Sequence, residues 1–272
     1  MRIASWNVNS VRTRVDRVLA ALDRHSVDVA ALQETKATDK NFPFEAFEAA
    51  RYEVAHFGLN QWNGVAMVSR VGIEDVQRGF PDQPGFHKDP QQPQDLEARA
   101  LGATCGGVRV WSLYVPNGRA LGDPHYTYKL QWLYALERFV SESLANDPDQ
   151  LAVYLGDFNI APKDTDVWDP SFFAGKTHVS EPERAAFEAL IDAGLLDISG
   201  QLTGEAYTYW DYQAGRFGKD EGMRIDFHLA TPALARTASA AEVDREERSG
   251  KGASDHAPVV VAYDLDAEAP AA

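Results

Sequence analysis

The chain has 272 residues, 44% hydrophobic and 11% aromatic, with a formal net charge of −15. That length and apolar content suit one or two domains with a full core and exclude a disordered chain. No run approaches the length of a membrane span, and Cys105, the single cysteine, excludes an intrachain disulfide or a cysteine-held zinc.

The first predicted strand, Arg2 to Trp6, ends in Asn7-Val8-Asn9. With no signal-peptide pattern ahead of it, a cytoplasmic protein is expected. A helix follows, with Ser10 as N-cap and Val11, Val15, Val18, Leu19 and Leu22 on one face; Arg12, Arg14 and Arg17 form its solvated face. Val27 to Leu32 is apolar nearly throughout, as a strand buried on both faces would be, and runs into Gln33-Glu34-Thr35-Lys36. Asn63-Gly64 precedes a strand at Val65 to Ser69. Phe80 to Gln94, rich in Pro, Gln, Gly and Asp, reads as a long binding or gating loop. Strands at about Arg99 to Cys105 and Val108 to Val115 meet at the hairpin dipeptide Gly106-Gly107. Asp123-Pro124 caps a long helix with Leu133, Leu136, Val140 and Leu144 inward, stopped by Asp147-Pro148.

Leu151 to Asn159 reads as a buried strand with a turn at Gly156, after which Asp157 and Asn159 fall two residues apart. On extended backbone they share a side, and the pair suits a hard divalent cation or an activated water. Beyond lie a helix from about Pro182 to Ala193 and a loop holding Tyr207-Thr208-Tyr209-Trp210. A strand from Arg224 to Leu229 has Asp226 in its interior. Ser254-Asp255-His256-Ala257-Pro258 leads into the last strand, Val259 to Tyr263, and residues 265–272 read as a tail. Hairpins mixed with helical crossovers imply an α/β fold of two packed mixed, mainly antiparallel sheets with helices outside, in a single domain over residues 1–264.

Asn7, Glu34, Tyr114, Asp157, Asn159, Asp226, Asp255 and His256 fall at or near the ends of separate strands. If those ends share a rim, carboxylates crowd there and raise each other's pKa unless a cation neutralises them. Oxygen donors without cysteine favour Mg²⁺ or Mn²⁺ over zinc. His256 becomes a working acid or base once a carboxylate fixes its tautomer, and Asp226 suits that better than the adjacent Asp255. Asp226 lies between Ile225 and Phe227 and must be paired. Taken singly, Asn7 and Asn117 read equally well as turn residues and Tyr114 as a core aromatic. The acidic balance disfavours a generally basic nucleic-acid surface, but not a site whose carboxylates carry a cation.

These pieces in this order resemble the exonuclease III family of abasic-site endonucleases, within the endonuclease/exonuclease/phosphatase superfamily. The matching stretches are Ser5-Trp6-Asn7, Leu32 to Lys36, Tyr114 to Gly118, Leu155 to Asn159, Tyr209 to Tyr212, Met223 to Asp226 and Ser254 to Pro258, across residues 2–263. The resemblance implies a four-layer α/β sandwich with the site on one rim. It also implies a monomeric Mg²⁺ enzyme (Mn²⁺ being an alternative) that hydrolyses double-stranded DNA, incising 5′ to abasic sites and trimming or cleaning 3′ ends. By position, Glu34 binds the metal within a set that also includes Asn7, Asp157, Asn159, Asp255 and His256. Asp157 positions or deprotonates the attacking water, Asn159 and His256 bind the phosphate, Asp226 orients His256, and Tyr114 lies near the scissile phosphate. Tyr209, Met223 and Ile225 match positions that line a pocket for a flipped-out abasic sugar. Asn117, Arg119 and Lys129 are implied phosphate contacts, with Trp210 a further DNA contact in its loop. Met223 stands where some relatives have a large aromatic, which leaves the balance of abasic incision and 3′-end trimming open. The alternative is a superfamily phosphoesterase acting on RNA or a lipid-linked phosphate; the Gln-Glu-Thr-Lys and Trp-Asp-Tyr stretches disfavour it.

Overall fold

The computed structural model describes residues 1–204 and 206–265. Two six-stranded sheets form its centre. The first runs β11-β12-β1-β2-β4-β3, with β1 Arg2–Asn7, β2 Val29–Gln33, β3 Glu53–Phe57, β4 Val65–Ser69, β11 Ala238–Val243 and β12 Val259–Tyr263. The second runs β5-β6-β7-β8-β10-β9, with β5 Glu74–Arg78, β6 Ala100–Cys105, β7 Val108–Tyr114, β8 Ala152–Asp157, β9 Leu196–Asp197 and β10 Asp226–Ala230. Alternate residues of the central strands serve different layers. Ile3, Val29 and Ala31 pack with Val110, Val153 and Leu155 between the sheets. Trp6, Ala30 and Leu32 face the helix Val15–Arg24 outside, and Trp111, Tyr154 and Leu229 face the helices Pro124–Asn146 and Glu181–Asp192. The result is helix, sheet, sheet, helix, the four-layer sandwich that the family resemblance implies.

Each sheet contains one parallel pair joined through a helix: β1 to β2 through Val15–Arg24, and β7 to β8 through Pro124–Asn146. A parallel pair needs such a crossover, and it brings both carboxyl ends to the same edge. Asn7 is in register with Gln33, and Tyr114 with Asp157. Antiparallel β10 enters at that edge, with Asp226 opposite Asp157. The two edges face each other and make one rim.

Several local expectations are corrected. Gly156 does not make a turn; it lies inside β8 at φ 145, where a Cβ would meet the Leu113 carbonyl oxygen at 1.9 Å. Glycine is needed there for the close approach of β7. The turn comes afterwards, where Asp157 Oδ1 accepts the Asn159 N–H at 2.9 Å and Asn159 takes φ 52. Ser10 does not cap the helix: a 3-10 turn at Val11–Thr13 intervenes, and Arg14 holds the position before Val15. Arg14 and Arg17 are not a solvated face. Arg14 Nη2 donates to the Ala253 carbonyl at 3.0 Å, and Arg17 pairs with Glu247 at 2.9 Å. The loop at 80–94 is anchored on the long helix, Phe80 against Trp132 and Phe86 against Tyr128. Beyond Leu265, the tail lies outside the described residues.

Candidate active site

Asn7, buried at the end of β1, joins the two halves of the rim. Its amide nitrogen donates to Glu34 Oε1 at 2.9 Å and to Asp157 Oδ2 at 2.9 Å, one carboxylate from each sheet. Its Oδ1 accepts the Asn9 N–H at 3.0 Å, so Asn7 stands as a bridge between carboxylates. Glu34 sits one residue past β2 at φ 49, and Lys36 Nζ lies 2.8 Å from its Oε2. Burial pushes the Glu34 carboxyl upward, but the Lys36 charge and the Asn7 hydrogen bond outweigh it and hold the group below its usual range. The same ammonium donates to Asn9 Oδ1 at 2.6 Å, and Asn9 Nδ2 donates to Asp255 Oδ1 at 3.0 Å.

His256 stands on the opposite side. Its Nδ1 lies 2.8 Å from Asp226 Oδ2, which also accepts the Thr208 hydroxyl at 2.6 Å. The Trp6 indole donates to the His256 carbonyl at 3.0 Å, and the Ser254 hydroxyl donates to the Asn7 carbonyl at 2.7 Å, tying the final loop to β1. Burial disfavours the imidazolium, but Asp226 and Asp157 overcome this and raise the His256 pKa to about 10. At neutral pH the ring is a cation that donates. Its Nε2 stands 3.8 Å from Asp157 Oδ2, beyond hydrogen-bond range. Asp157 itself is pushed up to about 7, first by burial and then by Asp226 and Glu34, against the opposing pull of His256. Burial and Glu34 likewise raise Tyr114, so its phenol stays protonated.

The remaining sequence candidates divide. Asn159 Oδ1 accepts from Asn117 Nδ2 at 3.0 Å and faces His178 Nε2 at 3.1 Å, while its Nδ2 donates to the Val115 carbonyl at 3.0 Å. It is held by protein on every side. Tyr209 lies edge-on to His256 with ring centroids 4.9 Å apart, and with Met223 and exposed Arg119 it lines a cavity of about 350 Å³ beside the rim. Ile225 is buried beneath that cavity, against Ala161 and Val167.

Two of the DNA contacts are misplaced. Lys129 is fully buried: its ammonium pairs with Glu183 and donates to the Asn159 carbonyl at 2.7 Å, so it offers nothing to a phosphate. Helical spacing alone could not reveal this, because the carboxylate comes from a helix 54 residues away. Trp210 is also buried; its indole donates to Asp220 at 3.1 Å and its carbonyl accepts from Arg248. Asn9, Lys36, Thr208 and His178 were not singled out as site residues. The first three lie within or next to stretches that carry the family resemblance, but His178 falls in a loop with no pattern to mark it. Burial and the nearby Lys129 lower His178 to about 4, so it is neutral.

Asp157, Asp226 and His256 offer ligand atoms within 4.8 Å of one another. The Asp226–His256 hydrogen bond occupies two of these groups with each other. Glu34 and Asp157, both bonded to Asn7, offer hard oxygen donors from the two sheets to a divalent cation, which at Glu34 would take over the charge-neutralising part that Lys36 now plays. The donor set fits such an ion.

The fold and this rim define a phosphoesterase of known lineage. A model of the endonuclease/exonuclease/phosphatase family matches residues 4–256, and the chain belongs to that family. It is 28% identical to exodeoxyribonuclease III of Haemophilus influenzae over 275 residues, covering 95% of this chain and 98% of that one. A 3′–5′ exonuclease of Neisseria meningitidis superposes with a TM-score of 0.88 at 38% identity, over 97% of this chain and all (100%) of that one. An AP endonuclease of Archaeoglobus fulgidus gives a TM-score of 0.88 at 32% identity, over 97% and 100% of the two chains. Among the described residues, no helix is long and apolar enough to cross a membrane.

Proposed function

We propose that this chain is a Mg²⁺-dependent DNA-repair nuclease that cleaves 5′ to abasic sites and acts on 3′ ends as exonuclease and end-cleaning phosphodiesterase. It works as a monomer in the cytoplasm, within a single catalytic domain over residues 1–264. One observation carries the reading: Asn7 holds Glu34 and Asp157 together at 2.9 Å each, facing a His256 that Asp226 keeps cationic. The related structures, a 3′–5′ exonuclease and an AP endonuclease, support the choice of DNA.

The chemistry follows from the groups present. A phosphodiester is anionic, so attack requires positive charge and donors where negative charge grows. A divalent cation held by Glu34 and Asp157 would supply Lewis acidity there. Asp157, placed between Asn7 and His256 at the end of β8, is positioned to orient the attacking water and take its proton. The His256 imidazolium donates from Nε2 to the phosphoryl oxygen, its tautomer and charge fixed through Nδ1 by Asp226. Tyr114 keeps its proton and sits by Glu34 as a neutral donor.

The test is a duplex with one central abasic site, labelled at its 5′ end. A single cut at the lesion with Mg²⁺, lost with EDTA and in Asp157→Asn, is expected. A duplex shortened only from the 3′ end would remove abasic incision from the reading, and no cleavage of either kind would overturn it.

A further inference from the structure

The cavity beside the rim has a second wall that the reading above leaves unused. Facing Tyr209 is the segment after β8, where Trp168 and Phe172 pack with ring centroids 5.1 Å apart. The Arg216 guanidinium lies 4.6 Å from the Trp168 centroid and 4.8 Å from that of Phe172, and its Nη1 pairs with Glu221. Lys176 Nζ sits 3.5 Å over the Phe172 ring. The Arg216 guanidinium is thus backed by two aromatic rings and held by a carboxylate, and it lines the cavity.

A sugar without a base needs only a small apolar slot. A guanidinium plane laid on aromatic rings is a surface for a π face, and unpaired nucleobases stack on such planes. The cations also bring local positive charge to a chain whose formal net charge is −15. Position agrees with this. Tyr209 lines the cavity and touches His256, so the cavity lies directly beside the groups that would hold the scissile phosphate. The residue beyond that phosphate is the terminal nucleotide of a 3′ end. We propose that Arg216, backed by Trp168 and Phe172, is the stacking platform for the base of that terminal nucleotide. The inference rests on the nuclease reading and specifies its substrate: base-bearing 3′ ends are recognised through the base as well as the phosphate. Arg216 is held by Glu221 and the two rings before any substrate arrives, so little ordering remains to be done on binding.

The experiment compares two duplexes that differ only in the 3′-terminal residue, an ordinary nucleotide or its tetrahydrofuran analogue without a base. The ratio of their kcat/KM values is measured for the native chain, Arg216→Ala and Trp168→Ala, in Mg²⁺. The native ratio should favour the base by about tenfold, and each variant should bring it close to unity. A variant that folds poorly loses activity on both ends alike, so the ratio still reports the platform. A native ratio near unity, or one unchanged in both variants, overturns the platform and leaves the nuclease reading standing. A native chain inactive on both ends overturns both.

Discussion

At His256, two carboxylates set the charge of a fully enclosed imidazole. Asp226, at 2.8 Å, does most to hold the proton on the ring, raising a pKa that burial alone would lower. Activity that needs the imidazolium should therefore persist through neutral pH and fall as pH rises through about 10. Asp226→Asn removes the strongest of those charges. Its alkaline limb should move to lower pH, with kcat reduced roughly a hundredfold. A pH–rate profile of kcat checks this, and a limb unmoved in the variant would show that Asp226 does not govern the ring. The Thr208 hydroxyl and the Asp226–His256 pair form a chain in which each member fixes the next. His256 was legible together with its partner, since the sequence already favours Asp226 over the adjacent Asp255. That the ring is a standing cation depended on the register of β10 against β8, which brings Asp157 beside the pair as well.

At the scale of elements, the Lys129–Glu183 pair locks two helices to two site loops. Lys129 comes from Pro124–Asn146 and Glu183 from Glu181–Asp192. Glu183 Oε1 also accepts the Thr177 hydroxyl at 2.7 Å and the His178 N–H at 2.9 Å, while Lys129 holds the Asn159 carbonyl at 2.7 Å. Breaking one partner leaves a buried charge. Lys129→Met should cost roughly 3–5 kcal/mol in a denaturation experiment. The double variant Lys129→Met with Glu183→Gln should recover a good part of that loss, because no unpaired charge remains. A double variant no better than the single one would refute the ion-pair account. The helix itself was foreseeable, with Asp123-Pro124 at its start and its Asp123 cap in place. The burial of one lysine on it was not, since helical periodicity places Lys129 on a face without saying what lies opposite.

At the scale of the whole molecule, three imidazoles among the described residues are buried in the neutral form. His56, His178 and His228 are each lowered to about 4, in each case chiefly by burial. Their unfolded values lie near 6.5, so below that pH the unfolded chain binds protons that the folded chain refuses. The stability these groups contribute is present above about 6.5 and is lost as pH falls through 4. Asp157 acts in the opposite sense. Its raised pKa gives a contribution present below the ordinary carboxylate value and lost as pH rises through about 7. His256, raised to about 10, loses its contribution only as pH climbs from about 6.5, so below that the three neutral imidazoles outweigh Asp157 and the denaturant midpoint of the metal-free protein should fall from pH 6.5 to pH 4. Replacing His228 with Gln should flatten that slope. A flat profile in the native chain would contradict the burial of neutral imidazoles.

The strands, and the residues that stand at their ends, could be read from the order of amino acids. Apolar runs closed by Asn7, Glu34, Tyr114 and Asp157 are local patterns, and local patterns survive folding because burial of alternate faces demands them. The layered architecture followed from the mix of hairpins and crossovers. Tertiary structure alone decided which ends meet. Asn7 bridges Glu34 and Asp157 across 27 and 150 residues of chain, a distance no periodicity encodes. It also decided the roles of side chains whose meaning depends on burial: Lys129 and Trp210 turned inward, Gly156 yielded to the Leu113 carbonyl, and His178 filled the space beside Asn159. A residue's type states what it can donate or accept. Only packing states whether water, substrate or another part of the chain is there to receive it.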